Sequence, residues 1–227
     1  MAKKRVYPER VTASMMRIIH EDEVLLMRHS TTIHFGNSDD LLGVVIMTNP
    51  GKFEFKHSPK WEEFKNGEGA SDVFKSADYP DLSMQNVIEV IRAGFAACRR
   101  SEPKGILRVY NLSNVRQPDG QKAETYHDRA KSLLSSDEIS LLEDPITHNR
   151  EQFMTECAKA KFVIMGFVQG AFDQKMQQVR AWSNELNGNG LVVALDNNDH
   201  FTRPRRWRTD RQLKQQAIES MISVLQR

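Results

Sequence analysis

The chain has 227 residues, with 32 lysines and arginines against 30 aspartates and glutamates, a formal net charge of +2, and two cysteines. That length can bury a substantial core as a single α/β domain, and the near balance of charge excludes a uniformly cationic nucleic-acid coat, so any polyanion contact must come from a local patch. Two thiols give neither a disulfide scaffold nor a zinc signature, no apolar run approaches the ~20 residues that cross a bilayer, and Lys3-Lys4-Arg5 precedes no signal-peptide core, so a cytoplasmic protein without membrane contact is expected.

Val11 to Met16 and Glu23 to Arg28 predict two short strands joined at His20-Glu21-Asp22, an antiparallel extension over residues 1–40 that closes with a turn at Gly36 to Asp40. Leu42 to Met47 is a continuous apolar run, as expected of a strand buried on both faces, and it runs straight into Thr48-Asn49-Pro50-Gly51-Lys52. Residues 53–80 are rich in Lys, Glu, Gly, Ser and Asp and predict a long loop insertion with short helical turns, of the kind that serves as a lid or is disordered. Ser83 to Asn86 is expected to cap a helix reaching about Arg100, with Val87, Val90, Ile91, Gly94, Phe95 and Cys98 at apolar spacing.

A strand over Ile106 to Tyr110 follows, then a polar, partly helical stretch over 121–144, then a helix opened by Asp144-Pro145 and ending near Ala160, with Asp144 or Thr147 as its cap. Lys161 to Phe167 predicts another core strand, Phe172 to Leu186 a helix broken by Asn187-Gly188-Asn189-Gly190, Leu191 to Leu195 a fourth strand, and Asp210 the start of a terminal helix. Strands alternating with helices predict an α/β three-layer sandwich with a mostly parallel central sheet, in one domain.

Open α/β sheets bind ligands beyond the carboxyl ends of their strands, and the candidate residues are read there. At Asn49-Pro50-Gly51, proline removes a donor and glycine permits a positive φ, so Thr48 and Asn49 can face a crevice with Gly51 in the turn. Lys52 and His57 add charge or hydrogen bonds, or are plain surface. Asn111 and Asn114 offer amides suited to a base edge, or simply cap a loop.

The His200 to Arg208 segment is the strongest chemical signal. Arg203, Arg205 and Arg206 match phosphate oxygens, Phe201 and Trp207 can stack on a base, His200 adjoins them, and Pro204 limits the loop's freedom. Asp196 and Asp199 act as a base or brace an arginine, and Asn149 and Arg150 stand at a helix start that can face the crevice. His127, His148 and His200 are too scattered for a recognised metal spacing, so neither a metal nor a cofactor is expected. No phosphate-binding Walker loop, dinucleotide fingerprint or nucleophile elbow is present.

Two resemblances bear on these motifs. Asn49-Pro50, Asn111-Leu112, Asp144-Pro145 with Asn149, Met165-Gly166 and Arg203-Pro204-Arg205 together resemble the pattern of a mainly bacterial and phage family of small α/β proteins with no secure activity, over about residues 42–208. Met47-Thr48-Asn49-Pro50-Gly51 is similar in its last three positions to the Gly-Ile-Asn-Pro-Gly motif of the mismatch-specific branch of the uracil-DNA glycosylase superfamily. That resemblance implies a uracil-DNA glycosylase-like fold, Asn49 orienting the water that attacks the sugar carbon of a flipped nucleotide, and the Asn197 to Arg208 loop gripping the phosphate backbone. The chain departs from the pattern at Met47 and Thr48, and Asn197-Asn198-Asp199-His200 stands where an Asn-Pro-Ser or His-Pro-Ser motif is expected.

The leading expectation is a nucleotide- or nucleic-acid-processing protein that hydrolyses an N-glycosidic bond. Asn49 positions water, Asn111 or Asn114 reads the base, the arginines hold phosphates, and Asp196 or Asp199 stabilises charge on the sugar. Two alternatives stand beside it: a non-catalytic module binding nucleic acid or a phosphorylated ligand, and a phage or mobile-element factor whose partner is a protein.

Overall fold

The computed structural model describes residues 7–186 and 190–227. The basic Lys3-Lys4-Arg5 and the expected helix break at Asn187, Gly188 and Asn189 lie outside the described residues. The chain is α/β, with a seven-stranded mixed sheet and, among the described residues, six α-helices.

β1 (Arg10–His20) and β2 (Glu23–Phe35) form an antiparallel hairpin closed by Glu21 and Asp22, with His20 paired to Glu23 and Glu21 in the left-handed region at φ 54°. β2 runs well past Arg28, because Thr31, Ile33 and Phe35 continue the inward-facing alternation. β3 (Leu41–Met47) is the continuous apolar run, and it pairs in parallel with β5 (Gly105–Asn111) and β6 (Val163–Gly166).

Residues 53–80 are more than a loop. They contain the short helix α1 (Trp61–Lys65) and the strand β4 (Val73–Asp78), which pairs antiparallel with β1 at the sheet edge. Phe53, Phe55, Trp61 and Phe64 are buried, with Phe53 and Phe55 edge to face at 5.3 Å and Phe55 and Trp61 at 5.4 Å. Aromatic burial of this kind supplies the hydrophobic anchorage that the polar composition of the segment conceals.

The last strand, β7 (Leu191–Val192), is shorter than Leu191 to Leu195, and it pairs in parallel with β6. The sheet order is β4-β1-β2-β5-β3-β6-β7. The β1–β2, β1–β4 and β2–β5 pairs are antiparallel, and the β3–β5, β3–β6 and β6–β7 pairs parallel. The sheet is therefore mixed, not mostly parallel, because the β1–β2 hairpin and β4 add an antiparallel half.

α2 (Leu82–Ala97) is capped by Asp81, not by the Ser83 stretch: its carboxylate accepts from the amides of Ser83 at 2.9 Å and Met84 at 3.0 Å. After α3 (Ala123–Leu133), α4 (Arg150–Lys159) is capped by Asn149, whose side-chain oxygen accepts from the Gln152 amide at 3.0 Å. α5 spans Asp173–Asn184, and α6 (Arg211–Leu225) starts at Asp210, which accepts from Gln212 and Leu213.

Alternate residues of β3 join different cores. Val45 and Met47 cluster with Val87, Ile91 and Met221 of α2 and α6, whereas Val44 and Ile46 cluster with Phe153 and Val179 of α4 and α5. A strand buried on both faces in this way holds its carboxyl end, and the loop that leaves it, in a fixed position.

Candidate functional site

A cavity of about 810 Å³ opens at the carboxyl end of β3. The turn after β3 contributes Thr48, Asn49, Gly51 and Lys52, and Arg203, Pro204 and Arg205 line the same space. The two loops thus meet, although 150 residues of chain separate them.

The local chemistry explains the approach. β3 and β5 remain bonded past their ends, with the Leu112 amide donating to the Met47 carbonyl at 2.9 Å and Ser113 to Thr48 at 3.0 Å. Thr48 is buried, and its hydroxyl accepts from the Val168 amide at 2.8 Å, so it ties the turn to the segment after β6 and holds the wall. Gly51 has φ +67°, the left-handed value that glycine tolerates. At Gly166 a Cβ would fall 2.6 Å from the Thr202 carbonyl oxygen and 2.8 Å from Pro204 Cδ; the absence of a side chain lets the arginine segment cross the end of β6.

Asn49 donates its side-chain Nδ2 to the Gln117 carbonyl at 2.6 Å. That bond fixes the amide and leaves Oδ1 as its unspent acceptor. Lys52 is exposed at the rim, while Arg203 is half-buried and Arg205 exposed. Neither arginine side chain has a hydrogen-bond or ion-pair partner among the described residues, so both forks are open to a ligand.

Two groups that the sequence does not mark as a pair complete the cavity. His57 Nδ1 lies 2.6 Å from Asp78 Oδ1, and the amides of His57 and Tyr79 donate to the same carboxylate at 3.0 and 2.6 Å. Asp78 is buried, the His57 side chain is 64% exposed, and both line the cavity. Burial alone would raise the Asp78 carboxyl, but the bonds from His57 and Tyr79 outweigh it and hold the group below its ordinary value. A carboxylate that fixes one ring nitrogen leaves the other, Nε2, as the working atom of an oriented imidazole. Arg116 braces the same loop through Nε to the Phe53 carbonyl at 3.0 Å and Nη2 to Glu54 at 2.6 Å.

The other residues singled out by sequence lie elsewhere. Trp207 is 0% exposed in the core, with Nε1 donating to Thr202 Oγ1 at 3.1 Å. Phe201 is buried against Phe167, ring centroids 6.4 Å apart, and with His200 it lines a second cavity of about 410 Å³. Arg206 pairs with Asp196 at 3.6 Å, and Asp196 accepts from the amides of Asn198 and His200, so this aspartate braces its own loop. Asp199 is exposed at φ 59° outside both cavities.

Asn149 is spent as a helix cap and Arg150 pairs with Glu185. Asn111 and Asn114 are buried and do not line the cavity. Beside them Asp144 accepts from the Asn111 amide at 2.7 Å, and burial, opposed by that bond, by Asn114 and by Arg28, raises its carboxyl to about 6.

A second chain of polar groups has the order of a nucleophile, base and orienter: Ser113 Oγ is 3.0 Å from His127 Nδ1, and His127 Nε2 is 3.5 Å from Glu143. Burial depresses His127 to about 4, but Ser113 and His127 are both buried away from the cavity, and the three groups brace the interior. Among the described residues no group of three or more His, Cys, Asp and Glu side chains is placed to hold a metal, and no helix is long and apolar enough to cross a membrane.

Compared with known proteins, the chain matches no family model, no curated protein and no solved structure. The functional reading therefore rests on the chemistry of the cavity.

Proposed function

We propose that the cavity at the end of β3 takes a phosphate-bearing nucleotide or nucleic-acid ligand and hydrolyses its N-glycosidic bond. The observation that carries this reading is the meeting, across one cavity, of the Asn49 turn with Arg203 and Arg205, whose side chains have no partner among the described residues. Guanidinium forks recognise phosphate oxygens, and two of them at the mouth select an anionic substrate. Asn49 Oδ1 accepts a hydrogen bond from the attacking water. As the water oxygen bonds to the anomeric carbon, the carbon–nitrogen bond breaks and its electron pair leaves with the base. His57 Nε2, oriented by Asp78, takes the water's proton and returns one to the departing nitrogen.

On this reading the two core clusters that meet β3 are the outer contacts of a three-layer sandwich of the uracil-DNA glycosylase type, whose ligand lies beyond the strand ends. A fold carries no chemistry by itself, so the test is turnover. Release of free base from a panel of nucleosides, nucleotides and single- and double-stranded DNA is expected, and it should be lost with Asn49→Ala. Nucleotide binding without base release by the wild type would leave a binding module, the reading favoured by the two arginines alone.

A further inference from the structure

Behind the cavity wall lies a cluster of buried polar groups that the proposed reaction does not use. Arg28, on β2, is 0% exposed, and none of its three guanidinium nitrogens has a hydrogen-bond partner among the described residues. The same holds for both polar atoms of the Asn111 side chain, for Asn114 Oδ1 and for Thr31 Oγ1, all buried. Neighbouring strands join these residues: the Arg28 amide donates to the Asn114 carbonyl at 2.8 Å, and Thr31 is the register partner of Val109 on β5.

Phe53 is the partition. It lines the cavity, and its ring centroid lies 5.2 Å from the Arg28 guanidinium carbon. Met47, also on the wall, is the register partner of Asn111.

Buried polar groups are paired in most proteins, and an unpaired charge is the costliest exception. Asp81, Asp144 and Arg116 act on Arg28 through their charge, but none bonds to it, and burial lowers the guanidinium to about 10. A guanidinium carries only donors, so what satisfies it must be rich in acceptors. The two nearby carboxylates oppose a highly charged anion there.

We infer that Arg28, with the Asn111 side chain, anchors the inner end of the ligand by accepting a planar group that presents oxygen acceptors, a ring dicarbonyl or a carboxylate, once Phe53 moves aside. This extends the proposed function and rests on it only in using the same cavity as entrance: phosphate at Arg203 and Arg205 outside, the acceptor-rich head inside.

The test is thermal melting of the full chain as wild type, Arg28→Met and Arg203→Ala/Arg205→Ala. Each is measured alone and with uracil, which carries the ring dicarbonyl, with benzoate, which carries the carboxylate, and with inorganic phosphate. Replacing an unpartnered buried charge with an apolar side chain of similar length relieves a penalty. Arg28→Met is therefore expected to melt at or above the wild-type temperature. The rise that uracil or benzoate gives the wild type should vanish in Arg28→Met and persist in the double arginine variant, and whichever probe acts identifies the head group. A melting temperature for Arg28→Met well below wild type, or failure of that variant to fold, overturns the inference by making Arg28 a structural residue. So does the absence of any wild-type shift with both uracil and benzoate. A phosphate shift lost only in the double variant keeps the outer site intact in that event, and its absence speaks against the outer site alone.

Discussion

The two loops that meet at the cavity are held in opposite ways. The segment after β3 is braced from outside by the Gln117 carbonyl, the Arg116 guanidinium and the buried Asp78. The segment after β7 braces itself: Asp196 takes the amides of Asn198 and His200 and the charge of Arg206, and Trp207 plugs the core. Both arrangements leave a few free groups at the mouth, Asn49 Oδ1 and His57 Nε2 on one side and Arg203 and Arg205 on the other. Residue type therefore says little about role within either loop. Arg205 and Trp207 are two residues apart, yet one lines the cavity and the other is a core side chain.

The largest effect that separates those roles is on stability. Trp207→Ala is expected to cost about 3–5 kcal/mol of unfolding free energy, as large-to-small changes in a packed core do, whereas Arg205→Ala stays within about 0.5 kcal/mol. Denaturant titration of both variants checks this, and equal losses would mean that the arginine segment is one structural unit. Next in size is turnover. If the braced loop carries the chemistry, Asn49→Ala and His57→Ala should each lower base release by about 10²–10⁴-fold, well beyond the modest fall in melting temperature expected from losing the Gln117 and Asp78 bonds. A fall in affinity without a fall in rate would move both residues from catalysis to binding.

The arginine side is sharpened by salt. Each phosphate neutralised contributes a slope of about 0.7–0.9 in log affinity against log salt, so Arg205→Ala should flatten the dependence by about one phosphate contact. A slope equal to wild type removes Arg205 from the contact. The smallest effect concerns the brace at Asp78. Its folded value is depressed, so the stability it contributes is present above the ordinary aspartate range near 3.8 and is lost as pH falls through the lower folded value. Asp78→Asn should flatten the acid limb of stability against pH, and an unchanged limb would show that the His57 and Tyr79 bonds contribute nothing there.

Much of this was legible before any coordinates. β3 announced itself as an uninterrupted apolar run because both its faces are covered, and α6 because Leu213, Ala217, Met221 and Leu225 return at helical spacing to one core. The convergence of the Asn49 turn with Arg203 and Arg205 followed from reading each as a loop that leaves an apolar core strand, and from the rule that ligands sit beyond strand ends. β4 was not legible: its alternation is weak, its residues are partly exposed, and it exists because β1 offers an edge across more than fifty residues of chain. The His57–Asp78 pair was hidden for the same reason, since only the β4–β1 pairing brings Asp78 under the loop. Trp207 and Phe201 looked like stacking residues because aromatic composition does not tell which way a side chain turns. Arg28 gave no signal, since nothing local distinguishes a buried strand arginine from an exposed one.

The most direct test of the shared cavity is a nuclear magnetic resonance titration of the whole chain with a nucleoside monophosphate, following the backbone amides of Asn49, Gly51, His57, Arg203 and Arg205. The account predicts that amides on both loops shift together along one binding curve. Shifts confined to Arg180, His200 and Phe201 around the second cavity, or to one loop alone, would contradict it.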